Sequence, residues 1–204
     1  QFADKLSEAI AENCLVVTGS SGLALEVFYT AFRNKKGQRM FLTSGLGAMG
    51  YGLPAAIGAC IGAGRIPSVC VESDGSLMLN LQELQTIRHH NLPIKILVFC
   101  NDGYAMIKGT FANVKLPRAG VDRASGLGIP NIREIAQGWE LPAADVWNWK
   151  EFDAVIPQFL AEKGPALVVV HIDPEQAYVP RLQPIANADG TFTAARYDQL
   201  SPVI

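Results

Sequence analysis

Charge is scarce in this sequence. Asp, Glu, Lys and Arg make up 18% of its 204 residues and nearly balance, leaving a formal net charge of −2. Such a chain has no electrostatic footprint for nucleic acid or for an anionic membrane, so neither partner is expected. Long apolar runs are missing too. None approaches the ~20 residues of a membrane-spanning helix, and no leader pattern opens the sequence, so a cytoplasmic location is expected. Cysteine is limited to Cys14, Cys60, Cys70 and Cys100. They form no CxxC pair and sit in or beside apolar segments, as buried free thiols of a reducing compartment do. His89, His90 and His171 share no metal-ligand spacing and read as structural. Repeats and low-complexity segments are absent. The sequence starts at Gln1 rather than Met, which reads as a fragment of something longer.

What is present is core-forming material, 49% apolar, in a chain long enough for one substantial core. Apolar spacing predicts helices over 4–13, 23–33, 51–62, 79–90, 131–138 (capped by Asn131) and 151–163. Short apolar runs predict strands over 14–18, 40–43, 68–72, 94–100 and 166–172, with another near 145–149. The run Ile94 to Cys100 is the most hydrophobic and is expected at the sheet's centre. Residues 102–130 carry five glycines and predict a long loop of the kind that lids a site. Alternating strands and helices predict an α/β domain over 1–173, a parallel sheet covered by helices on both faces. The prolines from Pro174 onward predict an extended C-terminal tail over 174–204. Ligands then belong at the carboxyl ends of the strands.

Two constellations carry chemistry. Gly45-Leu-Gly47-Ala-Met-Gly50 follows a strand and opens a helix, and Glu72 ends the next strand, as an NAD(P)- or flavin-binding fingerprint would have it. Asp74 and Asn101 stand 27 positions apart, just beyond consecutive strands. An Asp carboxylate, an Asn amide oxygen and the backbone carbonyl of Gly103 are hard oxygen donors suited to Mg²⁺, which commonly shares its shell with phosphate oxygens. Gly75 and Ser76 add an amide and a hydroxyl beside the next helix N-terminus, a favourable place for an anion.

Ser73-Asp74-Gly75-Ser76 followed by Asn101 resembles the thiamine-diphosphate signature, Gly-Asp-Gly and then Asn-Asn. Residues 43–58 (Thr-Ser-Gly-Leu-Gly-Ala-Met-Gly-Tyr-Gly-Leu-Pro-Ala-Ala-Ile-Gly) are similar to the matching segment of acetolactate synthases and their decarboxylase and oxidase relatives. The resemblance covers about residues 4–172, the diphosphate-binding domain of that family. It implies thiamine diphosphate and Mg²⁺ as cofactors, with Asp74, Asn101 and the Gly103 carbonyl as metal ligands. Gly19, Ser20, Ser21, Gly75 and Ser76 match the diphosphate cradle. The Gly47 carbonyl matches the acceptor for the aminopyrimidine's amine, and Met49 the apolar residue that bends the cofactor. Tyr104, Ala105 and Met106 would lie over the cofactor at the mouth.

The sequence departs from the pattern at Ser73 and Cys100, which replace the first Gly and the first Asn, and at Thr110, where biosynthetic acetolactate synthases carry Trp. The family's activating glutamate comes from a separate pyrimidine-binding domain. Glu8, Glu26 and Glu83 read as solvated helix faces, so no catalytic residue is expected in this chain and no activity from it alone. The resemblance implies decarboxylation of a pyruvate-like 2-oxo acid, then ligation or release of the aldehyde-level fragment, with branched-chain amino acid biosynthesis as the synthases' setting. Expected partners are the 2-oxo acid, a pyrimidine-binding domain of the same or another chain, and a second copy in a homodimer or tetramer, in contact through the small residues of 51–62. The competing readings are the dinucleotide-binding domain and a non-catalytic oligomerisation partner.

Overall fold

The structure, a computed structural model, describes residues 1–20, 28–43, 45–176, 181–182, 184–196, 198 and 200–201. Its frame is a six-stranded sheet of β1 (Leu15–Thr18), β2 (Arg39–Phe41), β3 (Ser68–Ser73), β4 (Ile94–Cys100), β5 (Ala143–Val146) and β6 (Ala166–His171). The spatial order is β2-β1-β3-β4-β6-β5, and every pairing is parallel. Every residue of β3 and β4 is buried, as two-sided cover by helices requires. The Ile94 to Cys100 run is thus an inner strand, as its composition predicts.

Side-chain alternation divides the core in two. Val16, Val71, Leu97 and Val168 face α1 (Phe2–Ala9), α2 (Phe28–Ala31) and α8 (Trp149–Ala161), meeting Leu6, Phe28, Phe152 and Ile156. Val17, Cys70, Ile96, Val98 and Val169 face α3 (Gly52–Gly62), α4 (Asp74–Leu77), α5 (Glu83–His89) and α7 (Ile132–Gly138), meeting Leu53, Leu77, Leu84, Ile87 and Ala136. Helix starts are set locally. Asn131 accepts from the Glu134 amide at 3.3 Å, the predicted cap, and Asn148 accepts from the Glu151 amide at 3.0 Å. All four cysteines are buried and free.

The structure corrects three expectations. The 102–130 loop contains α6 (Ala105–Asn113), a helix in spite of Gly109 because Ala, Met and Lys favour one and a lone glycine is tolerated. The helix expected over 79–90 starts later, as α5 at Glu83 after the turn 78–82, with Leu79 55% exposed, and a separate short helix, α4, starts directly after β3. The strand near 145–149 lies earlier, at Ala143–Val146. Of the predicted helix over 23–33, residues 23–27 lie outside the described residues. The described part of the tail forms two short antiparallel pairs, Arg181–Leu182 with Leu200–Ser201 and Ile185–Ala186 with Phe192–Thr193.

Candidate functional site

The register of β3 against β4 runs from Ser68↔Ile94 to Ser73↔Phe99, so Asp74 and Asn101 leave neighbouring strands at one edge. Asp74 has no exposed surface. Its Oδ1 accepts from the Gly75 amide at 2.7 Å, and its Oδ2 from the Asn101 and Gly103 amides at 3.0 and 3.2 Å. Burial pushes the carboxyl above its ordinary range, while these amides and the Cys100 thiol act the other way. Burial and the nearby Asp74 charge push the Cys100 thiol up to about 12, so it stays a thiol.

The side-chain amide of Asn101 closes the group. With its nitrogen turned inward it donates to the Gly103 carbonyl at 3.0 Å and to Asp74 Oδ1 at 3.1 Å. Rotating the amide by half a turn brings three oxygens together, an arrangement that a cation would relieve. The donors fit Mg²⁺: one carboxylate, one amide and one carbonyl, all hard oxygens. Among the described residues there is no cluster of three His, Cys, Asp or Glu, so this mixed set is the one that a count of ligand residues overlooks. Gly103 has φ +143°, and a Cβ there would stand 2.2 Å from the Val121 carbonyl oxygen, so the backbone that presents its carbonyl demands glycine.

The remaining predicted residues surround this point. Gly19 is buried at the end of β1, its amide donating to the Val71 carbonyl at 2.7 Å. The hydroxyl oxygen of Ser20 is buried without a hydrogen-bond partner, as a group awaiting an anion's oxygen would be. Ser21 lies outside the described residues. Gly75 is covered by Tyr104, whose ring would lie 2.4 Å from an added Cβ. Ser76 is buried, and its hydroxyl accepts from the Gly50 amide at 2.9 Å, which pins the glycine turn. Gly47 is exposed with φ +59°. Met49, 40% exposed, and Met106, 37% exposed, are joined by exposed Leu46, Leu79 and Ile107, so the glycine turn, the turn before α5 and α6 each carry exposed apolar side chains. Tyr104 and Ala105 are half-buried at the start of α6.

Two features escape sequence reasoning. Glu72 has no exposed surface and is pushed up to about 7 by burial, with the Ser76 hydroxyl and the amides of Ser73, Gly52 and Leu53 opposing. The Ser73 amide donates to Oε2 at 3.3 Å. The Gly52 and Leu53 amides stand near without completing a hydrogen bond to Oε1, which has no partner. The second feature ties α6 to the chain after β6. Buried Lys108 donates to the Pro174 carbonyl at 3.1 Å, and Arg118 grips Glu175 at 2.9 and 2.8 Å.

The dinucleotide expectation falls on the same geometry. Glu72 would have to reach a ribose hydroxyl but is sealed beneath α3, and the glycine turn follows β2, an edge strand with three paired residues. Glu8 is exposed and pairs with Arg33 at 2.9 Å, as a solvated face. Glu83 is half-buried, and Glu26 lies outside the described residues.

Comparison with known proteins supports the other reading. The model of the thiamine pyrophosphate enzyme C-terminal TPP-binding domain matches residues 18–170. The large subunit of acetolactate synthase isozyme 1 of Escherichia coli is 36% identical over 147 residues, covering 72% of this chain and 26% of that protein. The chloroplastic acetolactate synthase of Arabidopsis thaliana is 35% identical over 199 residues, 94% of this chain and 29% of that one. Among solved structures, the thiamine diphosphate-dependent 4-hydroxybenzoylformate decarboxylase of Rhodococcus jostii shares the fold, with a TM-score of 0.73 at 19% identity over 85% of this chain and 32% of that one. The chain spans less than a third of the length of these curated relatives. By family match, sequence likeness and fold together, it belongs to the thiamine pyrophosphate enzymes, as a C-terminal TPP-binding domain.

Proposed function

We propose that this chain is the cofactor-holding half of an acetolactate-synthase-like enzyme that decarboxylates a pyruvate-like 2-oxo acid and ligates or releases the aldehyde-level fragment. The observation that carries this reading is the convergence of Asp74, the Asn101 amide and the Gly103 carbonyl at adjacent strand ends. These three would hold Mg²⁺, and Ser20 and Ser21, with the amides around Gly19, Gly75 and Ser76, would receive the diphosphate. Gly47, Met49 and Tyr104 to Met106 would set the cofactor's orientation and keep water from it. Bound thiamine diphosphate supplies the electron sink for the carbon that loses carbon dioxide. Proton transfer to the cofactor ring falls to a glutamate of a pyrimidine-binding domain, whose docking the exposed apolar residues Leu46, Leu79 and Ile107 suit. The outer face of α3, with Ile61 49% exposed, and the adjoining Phe41 of β2, 47% exposed, suit a second subunit. A cytoplasmic homodimer or tetramer is the corresponding setting.

Calorimetric titration tests the reading. Thiamine diphosphate should bind only with Mg²⁺ present, and NADH not at all; Mg²⁺-independent NADH binding would overturn it. In the full enzyme, Asp74→Ala should abolish turnover, whereas unchanged activity would make the chain an oligomerisation partner with a relic site.

A further inference from the structure

We propose that Glu72 is a positioning residue, the buried spacer that fixes the two glycine turns of the cofactor site relative to each other. This rests on the cofactor reading above but concerns a residue that does not line the opening. The carboxyl group lies between backbones that come within touching distance. A Cβ on Gly19 would stand 2.1 Å from Glu72 Oε2, and one on Gly52 would stand 2.2 Å from Oε1 and 2.9 Å from the Gly19 Cα. The end of β1 and the start of α3 therefore close on the carboxyl from two sides, and neither can carry a side chain while Glu72 is there. Ser76 extends the junction: it lies beside the carboxyl and accepts from the Gly50 amide, while the Gly50 carbonyl accepts from Asn80 at 2.7 Å. One side chain thus touches the diphosphate turn at Gly19, the α3 entry that follows the Gly47–Met49 turn, and the helix that starts at Asp74.

Stability alone does not account for a glutamate in this place. A buried carboxyl with an unpartnered oxygen is costly, and an apolar side chain of similar volume would avoid that cost. What the carboxyl supplies is acceptor atoms facing the amides at the start of α3 and the amide of Ser73, so it sets distance and direction together. Gln has the same length and retains one acceptor oxygen. Ala has neither.

The test uses the full-length enzyme. The Kd for thiamine diphosphate at saturating Mg²⁺ is measured by calorimetry well below the Tm, and amide exchange is followed by mass spectrometry without cofactor. Glu72→Ala should weaken binding about tenfold or more, the scale seen when a supporting outer-shell group is removed. Exchange should speed up in peptides covering 18–20 and 45–53, with β4 still protected. Glu72→Gln should restore both readouts to near wild type. If Glu72→Ala does not fold, Glu72→Asp, which withdraws the carboxyl by one methylene, should show the same losses in smaller degree. A role confined to stability would lower Tm and leave Kd unchanged. That result, or a Gln variant as weak as the Ala variant, would overturn the proposal. Failure of the wild-type enzyme to bind thiamine diphosphate would refute the cofactor reading instead, and the exchange pattern would then decide the spacer on its own.

Discussion

Glu72 also makes the domain's stability depend on pH in a direction opposite to ordinary acid denaturation. Its folded value is raised from 4.5 to about 7, so between those pH values the folded chain holds a proton that the unfolded chain releases. The Glu72 contribution to stability is therefore largest below pH 4.5, falls as pH rises through 7, and levels off above it. At roughly 1.4 kcal/mol per pH unit between the two values, the loss is on the order of 3 kcal/mol. Asp74, also raised, adds to the loss in the same direction. Urea denaturation of the 204-residue chain, followed by tryptophan fluorescence from pH 5 to 8, gives the wild-type curve. The same experiment on Glu72→Gln removes the Glu72 contribution and leaves that of Asp74, so the difference between the two curves isolates it. Gln should lie close to wild type at pH 5 and be more stable at pH 8 by about 2–3 kcal/mol. A gap that does not change across this range, or a wild type that gains on Gln as pH rises, would refute the reasoning.

Three further outcomes can be checked directly. Asp74→Asn keeps the size and loses the charge. It should abolish Mg²⁺-dependent binding of thiamine diphosphate while circular dichroism shows an intact fold, and retained binding would remove Asp74 from the ligand set. Gly103→Ala forces a Cβ against the Val121 carbonyl at a φ unsuited to alanine, so it should cost about 1–3 kcal/mol or more in denaturant titration. Lys108→Ala strips the buried hydrogen bond to Pro174, and cleavage near 174 by a non-specific protease should become faster. The exposed Arg118–Glu175 pair should contribute little to stability and fade with added salt.

The parts of the fold legible in sequence are those where one physical rule dominates. β4 is apolar at nearly every position because both faces are covered, so its limits can be read directly. Asp74 and Asn101 are legible as a pair because parallel strands carry their ends to one edge. α6 is hidden because its start has no side-chain cap and Gly109 breaks its pattern. The late start of α5 is hidden because Leu79, apolar and mostly exposed, mimics a core position. Glu72 is the least legible. A single acid that ends a strand after a glycine-rich turn reads as part of a dinucleotide fingerprint, and only the close approach of Gly19 and Gly52 shows that it is enclosed.

The parallel sheet also sorts the loops by use. Asn13, Arg65, Asn91 and Glu140, all with positive φ, stand in the turns that lead into β1, β3, β4 and β5. Those turns are tight terminators at the amino edge, on the far side of the sheet from every residue assigned to the cofactor. Glu12, exposed in the turn before β1 and without a positive φ, is the point among them that accepts a new side chain without backbone strain. A fluorophore, a surface tether or an inserted peptide at 12 should therefore report on the enzyme without disturbing it. The same graft at Gly47 would block the cofactor's own entrance.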